Sequence, residues 1–357
     1  MQFPTKSEIV LAFASLVFTL LCAEAAARIW LNHFANRDQY LKYALYTEID
    51  PKHLRFQPHQ YLDYVLTPNY HEGRTSHNSL GYRGDEFPKA KPKGEFRIVA
   101  LGGSTTYDVY VEDNNEIHTK QLEDILYTRY GYQHVRVINA GVPAYNSWES
   151  LINLEFRVLD LKPDLIIHYD NNNDAHARLV LPSQYTSDGS ARRKPWSYPP
   201  VPRREWSVFV RILSRHLQFT RQVGLEDFVD RYDNSIGGDS MKVLEQNPPI
   251  YFERNVRNML SIEREHGIVP VLVTYAYSPY FGDYAATRHY QKAFTEHNEI
   301  YKQIAERYGV SLFDLEAVMP KDEDYFTDGR HNNAKGARKR AELYAEFLTT
   351  HNLLPKK

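Results

Sequence analysis

Residues 96–107, FRIVALGGSTTY, set a short apolar run directly against a Gly-Gly-Ser turn. Apolar side chains on successive residues fit a central parallel strand covered on both faces. Two glycines let the backbone turn sharply there. The pattern predicts that Ser104 stands exposed at the carboxyl end of the strand, where open α/β sheets bind ligands. The turn has no G-x-x-x-x-G-K-[ST] pattern and no G-x-G-x-x-G follows, so a nucleotide-phosphate loop is not indicated. Far downstream Asp328 and His331 form an Asp-x-x-His. Serine, histidine and aspartate together suggest a hydrolytic serine.

Beyond residue 96, strand and helix patterns alternate. Strands are expected at 97–101, 134–138, 164–168, 269–275 and 311–314, and helices at 116–130, 147–160, 251–266, 286–308 and 334–350. Such alternation implies βαβ units and a parallel sheet with right-handed crossovers. Residues 31–95 read as an extended lead-in packing on this core, rich in Tyr, His and Pro, with a structured turn at 77–85, HNSLGYRGD. The segment 179–249 breaks the rhythm. It is polar, basic and proline-rich before a helix near 206–223, and an insertion of that length is a lid, a substrate loop, a partner surface or mere decoration.

Residues 9–27 are nineteen residues with one charge, Glu24. That length crosses a bilayer core, and Arg28, Ile29 and Trp30 follow as an interfacial anchor. A cleaved signal peptide is the rival, but the run is long for one and continues into more apolar and aromatic residues. An uncleaved single-pass anchor over residues 1–30 is therefore expected. Only Lys6 and the terminal amine precede the span whereas Arg28, Arg37 and Lys42 follow it, a count that does not favour an outward domain. The single cysteine, Cys22, lies inside the apolar run, so there is no disulfide framework to indicate a compartment. A net charge of −2 with interspersed signs argues against nucleic acid.

Four stations fall at the ends of expected elements. They are GGST with Ser104, NAGVPAYNS with Gly141, DNNND with Asn173 and Asp174, and DGRHNNAKG with Asp328 and His331. Loops after neighbouring strands of a doubly wound sheet converge on one edge, so stations spread along the chain can share a pocket. Each also has an ordinary reading: Ser104 as a helix N-cap, Gly141 as a turn glycine, Asn173 as a loop-capping amide, His331 as a surface histidine. Asp174 reads as structural, and His168 and His176 as packing or surface residues. Metal-ligand spacing is absent around these stations, so neither a metal nor a cofactor is expected.

These blocks resemble the SGNH (GDSL-type) hydrolase superfamily, whose four blocks contribute Ser, Gly, Asn and His. The first block reads LGGSTT, with Gly103 where many relatives carry Asp. The third reads Asn171-Asn172-Asn173-Asp174 where relatives have G-x-N-D, so its leading glycine is missing. The fourth matches D-x-x-H, and Gly336 also fits. NSLGYRG, and an N-terminal helix ending in Glu24 and Arg28, are similar to membrane-anchored bacterial members. The likeness spans roughly 75–350, with 179–249 unmatched. It implies a flavodoxin-like three-layer α/β/α fold around a parallel sheet in a catalytic domain at 96–350, held outside the cytoplasm, in the periplasm, by one N-terminal transmembrane helix. It implies Ser104 as nucleophile, His331 as base and Asp328 as its orienting partner. The oxyanion hole would use the Ser104 and Gly141 N–H groups and the Asn173 amide.

The expected reaction is hydrolysis of an O-acyl ester through an acyl-serine, with O-acetyl groups on envelope carbohydrate as one substrate class. Trp196, Tyr198 and Trp206 are candidate stacking platforms for a glycan. Two other readings stand beside it: an O-acyltransferase passing the acyl group to a sugar hydroxyl, which differs in how water is excluded, and a non-catalytic envelope scaffold. The sequence names no protein partner.

Overall fold

The computed structural model describes residues 5–230 and 239–356. Contacts group the chain into two compact units, one of residues up to Leu54 with Ser197–Val229, the other of Arg55–Trp196 with the residues from Asp230 onward. The boundaries expected from composition, after residues 30 and 95, follow sequence character; compactness divides the chain at different points. Part of the segment 179–249, residues 231–238, lies outside the described residues.

The larger unit opens with two small antiparallel hairpins. The first joins β1 (Phe56–His59) to β2 (Asp63–Leu66), and the second joins β3 (His71–Glu72) to β4 (Thr75–Ser76). A five-stranded parallel sheet follows: β5 (Phe96–Gly102), β6 (Val135–Gly141), β7 (Leu165–Tyr169), β8 (Val269–Val273) and β9 (Ser311–Phe313), in the order β6-β5-β7-β8-β9. Counted along the sheet's own strands this is 2-1-3-4-5, the flavodoxin-like order. Side chains alternate between two cores. Ile98, Leu165, Ile167 and Val271 pack with Leu122 and Leu126 of His118–Thr128 and with Ala341, Tyr344 and Leu348 of Ala334–Thr350. Val99, Leu101, Ile166 and Leu272 face Leu154, Val158 and, from helix Ile250–Glu265, Val256 and Met259. The three-layer α/β/α fold is therefore the one expected from the alternating pattern.

Order 2-1-3 makes the chain reverse direction between β5 and β7. Loops leaving those two strands part at their carboxyl ends and open a crevice there. Register fixes what lines it: Gly102 pairs with both Gly141 and Tyr169, so the residues after each of the three strands emerge at one level.

The smaller unit is helical. One helix among the described residues, Lys6–His33, is long and apolar enough to cross a membrane, with a mean hydropathy of 2.2 over its best window; by length and composition alone a signal sequence passes the same test. Its first turn carries a capping box from Thr5 and Glu8.

Candidate active site

Ser104 is the first residue of a four-residue helix, Ser104–Tyr107, that begins as β5 ends. Two glycines make this possible. Gly102 takes φ +153°, and a Cβ there would come to 2.5 Å of the Tyr169 carbonyl oxygen. Gly103 has an ordinary φ but no room, because a Cβ would meet Asn173 Nδ2 at 2.6 Å and the Tyr145 carbonyl oxygen at 2.8 Å. Real Cβ atoms do not approach so closely, so the turn excludes side chains at both positions.

Ser104 Oγ lies 2.7 Å from His331 Nε2. The other ring nitrogen, Nδ1, lies 2.9 Å from Asp328 Oδ2, while the His331 and Arg330 backbone N–H groups donate to Asp328 Oδ1 at 2.9 and 3.0 Å. Partial burial works against the Asp328 charge. The bonds and charge of His331, with the Arg330 guanidinium, outweigh it and hold the carboxyl well below the usual carboxylate range. A carboxylate fixed in this way favours the imidazole tautomer with its proton on Nδ1, leaving Nε2 to accept from the serine hydroxyl. The sequence separation from Ser104 to His331 is 227 residues, and the sheet closes it.

Other expected site residues are placed unequally. Asn173 gives one amide N–H to the Tyr145 carbonyl at 2.7 Å, and the same nitrogen sits against Gly103, beside the serine. As a helix's first residue, Ser104 has an N–H with no intrahelical acceptor. Gly141 ends β6, but its N–H already donates to Asn139 Oδ1 at 3.0 Å. Asp174 accepts from the Ser147 backbone N–H at 3.2 and 3.1 Å and from its hydroxyl, a bracing role. Asn171, standing where relatives have glycine, is in extended backbone with φ 175°. Its buried amide bonds the Phe294 carbonyl, Asn298 and His297, so the Cβ points into helix Arg288–Tyr308 and away from the serine turn. Of the three aromatic platforms, Trp196 belongs to the sheet unit, 6.4 Å from the Tyr64 ring. Tyr198 stacks on Tyr46 at 5.7 Å within the smaller unit, which also holds the exposed Trp206.

Several neighbours escaped the sequence reading. Tyr110 sets its ring edge-on to His331 at 5.2 Å and is half exposed. Arg330 stacks over the Tyr284 ring at 4.3 Å while bonding Asp328 Oδ2 at 3.1 Å. Ala144, in the loop after β6, takes φ +68°, a left-handed conformation that alanine rarely adopts and that clusters at functional sites. Buried Arg83, from the NSLGYRG turn, donates to the Tyr107 and Asp108 carbonyls at 2.9 and 2.8 Å and so ties down the end of the serine helix. Its signal was present in an arginine between glycines, but nothing local to it reveals the acceptors. Among the described residues no group of three or more His, Cys, Asp or Glu side chains is placed to hold a metal ion.

With this geometry in view, a family model described as the GDSL-like Lipase/Acylhydrolase family matches residues 100–339. The chain belongs to that family. It is an enzyme of the ester-hydrolase class. No curated protein matches this GDSL-type acylhydrolase. Solved structures similar to it include a lipase/acylhydrolase from Enterococcus faecalis, 18% identical, covering 72% of this chain and 96% of that one with a TM-score of 0.45. A GDSL-like lipase from Bacteroides thetaiotaomicron is 13% identical, with coverages of 74% and 93% and a TM-score of 0.42. A variant of an acetyl xylan esterase from Geobacillus stearothermophilus is 14% identical, with coverages of 71% and 94% and a TM-score of 0.45.

The acylhydrolase departs from the G-D-S pattern at Gly103, and the packing predicts the consequence of restoring it. Gly103→Asp is expected to push Asn173 off its position beside the serine and to lower kcat by about 10²-fold, the usual cost of a ~1 Å misplacement. Steady-state hydrolysis of a p-nitrophenyl ester measures this; unchanged turnover would show that Asn173 is not pinned by the missing Cβ.

Proposed function

We propose that this acylhydrolase cleaves O-acyl esters through an acyl-Ser104 intermediate, acting on O-acetyl groups of cell-envelope carbohydrate outside the cytoplasm. The observation that carries the reading is the chain of contacts from Ser104 Oγ to His331 Nε2 at 2.7 Å and from His331 Nδ1 to Asp328 at 2.9 Å. Ser104 Oγ attacks the acyl carbon as His331 Nε2 takes its proton, and Asp328 stabilises the imidazolium that forms. Negative charge developing on the carbonyl oxygen is met by the Ser104 N–H and the free N–H of the Asn173 amide. Gly141 joins them only by giving up Asn139. Collapse expels the alcohol, which leaves with the proton from His331. Water then attacks the acyl-serine with His331 again as base, releasing the acid and restoring the serine.

The carbohydrate preference rests on Trp196, in the same unit as Ser104, as a flat apolar face of the kind sugars stack upon. A transferase reading uses the same first half-reaction and replaces water with a sugar hydroxyl; no feature of the site favours it over hydrolysis. The test pairs a fluorophosphonate serine probe with acetate release from O-acetylated polysaccharides and from p-nitrophenyl esters of increasing acyl length. Probe adduct with acetate release from the polysaccharide supports the full reading. Adduct with turnover of long-chain esters alone would remove the carbohydrate substrate. Absence of adduct on folded protein would remove the serine mechanism and favour the scaffold.

A further inference from the structure

Helix Val208–His216 carries large apolar side chains on two faces, and its own unit explains one of them. On the inner face Val208 packs with Leu31 and Tyr43, and Ile212 joins the same cluster. Arg211 reaches Glu48 at 3.0 Å, and Arg215 bonds Glu205 at 2.8 Å. On the other face Val210 and Leu213 are exposed, with Leu217 and Trp206 beyond the two helix ends, the tryptophan at 64%; Phe219 follows at 77%. Positions 206, 210, 213 and 217 repeat at four, three and four residues, which lines them up as a single helical stripe. Isolated exposed apolar residues need no explanation, but a stripe of four large ones with Phe219 next to its end does.

The helix is seated on the apolar N-terminal helix. Glu24 adds to the helix's own cap, in which Ser207 accepts from the Val210 N–H at 3.2 Å: the Glu24 carboxylate accepts from the Val208 and Phe209 N–H groups, each at 3.0 Å, and from the Ser207 hydroxyl at 2.7 Å. Arg28 bonds Glu24 at 2.7 Å and donates to the Trp206 carbonyl at 3.1 Å. At ~1.5 Å per residue Glu24 stands about 22 Å along the helix from Ile9, and Ala27 about 27 Å, against a hydrocarbon core ~30 Å thick. The attachment point therefore falls where an apolar span would leave the hydrocarbon, and its exposed side chains, Ile9 to Leu21, run towards that point.

We propose that Val208–His216 is an interfacial helix that lies in the headgroup layer of the membrane crossed by Lys6–His33, with Trp206, Val210, Leu213, Leu217 and Phe219 immersed at the acyl boundary. The partner is a phospholipid bilayer. Two features select it over another protein: the stripe is continuous with the apolar span through Glu24 and Arg28, and exposed Arg203, Arg204 and His216 flank it, suited to anionic headgroups. Tryptophan at such a level is the usual anchor. On this proposal Trp206 contacts lipid in place of sugar.

The proposal rests on reading Lys6–His33 as a membrane span, so the test probes both. In the full chain carrying Cys22→Ser, single cysteines at Leu213→Cys, Phe18→Cys and Ser261→Cys are labelled with an environment-sensitive fluorophore. Each protein is then reconstituted into phosphatidylcholine–phosphatidylglycerol vesicles with and without doxyl-labelled lipid. The expected result is blue-shifted emission at 213, with a loss to doxyl lipid comparable to that at 18, and no loss at 261. Quenching at 18 without quenching at 213 overturns the interfacial helix and leaves the span intact. Loss at neither position overturns the span and the proposal with it. A blue shift at 213 without quenching means that protein covers the stripe, a second copy included, and also overturns it.

Discussion

Replacing Ser104 by alanine is expected to lower kcat by about 10⁴–10⁶ and to abolish labelling by a fluorophosphonate, with the fold intact. The size follows from the role proposed for the side chain. No covalent intermediate can form without the hydroxyl, and what remains is the pull of the oxyanion donors and of substrate binding. Among the described residues the hydroxyl's hydrogen bond is to His331, and the shape of the turn is set by Gly102 and Gly103, so removing the hydroxyl is expected to leave β5 and its turn in place. Because serine and histidine act as a unit, Ser104→Ala/His331→Ala is expected to be no slower than either single variant. Asp328→Asn keeps the shape but offers Nδ1 the wrong partner, and is expected to lose about 10⁴. Single-turnover kinetics on an activated ester, with circular dichroism as the control for folding, reads all four proteins. Additive losses in the double variant would mean that the two side chains serve different steps, and residual adduct on Ser104→Ala would place the nucleophile elsewhere.

Much of this arrangement is written locally in the chain. Strands covered on both faces are spelled as apolar runs, so β5, β6 and β7 begin and end within a few residues of their expected limits. β8 is expected to run to 275 and ends at Val273; Thr274 keeps a backbone bond to the Phe313 carbonyl at 3.0 Å and turns its hydroxyl to Asp314 at 2.8 Å. Helix 147–160 is not one helix: Ser147–Asn153 passes into a π turn, Leu154–Val158, and a 3-10 turn, Leu159–Leu161, a change of pitch that hydrophobic spacing does not record. The serine, aspartate and histidine are legible as candidates because turn motifs mark them: Ser104 begins a helix, and Asp328 and His331 lie in the turn just before Ala334–Thr350. What could not be read are charged residues with distant partners. Glu24 reads as a blemish near the end of an apolar run, yet its partners lie 183 to 185 residues away. Arg83 and Arg340 are not singled out by the sequence, yet both are buried and donate to backbone carbonyls of the serine helix.

Asp108→Asn is expected to destabilise the sheet unit by about 3–5 kcal/mol near neutral pH, a fall in Tm of about 6–20 °C. Asp108 closes the serine helix in a left-handed conformation, φ +63°, and its side chain is fully buried. It accepts from the His118 backbone N–H at 2.7 Å and faces His118 Nδ1 at 2.6 Å. Arg340 bonds it as well and donates to the Thr105 carbonyl at 2.8 Å. Burial favours the neutral acid, but His118 and Arg340 overcome it and hold the carboxyl at about 2. His118 is itself held below its ordinary value by burial and by Arg340, so at neutral pH the imidazole is uncharged and Arg340 is the balancing cation. Asparagine tolerates the left-handed backbone and keeps the shape, so the loss reports the charge. The pH dependence has a definite sign. Asp108 binds fewer protons folded than unfolded, so its contribution is whole above about pH 4 and fades as the pH falls towards 2. Wild type also loses stability as the pH drops below 6.5, where unfolded His118 gains a proton that the folded state resists. Asp108's own share of the gap between wild type and Asp108→Asn should therefore be whole from pH 7 to about 4 and narrow below, while loss of the carboxylate, which favours the His118 cation, adds to the gap below pH 6.5. Thermal unfolding across that range measures it. A gap that is absent at pH 7, or that does not narrow below about pH 4, would mean that the Asp108–Arg340 pair does not hold the serine turn in place.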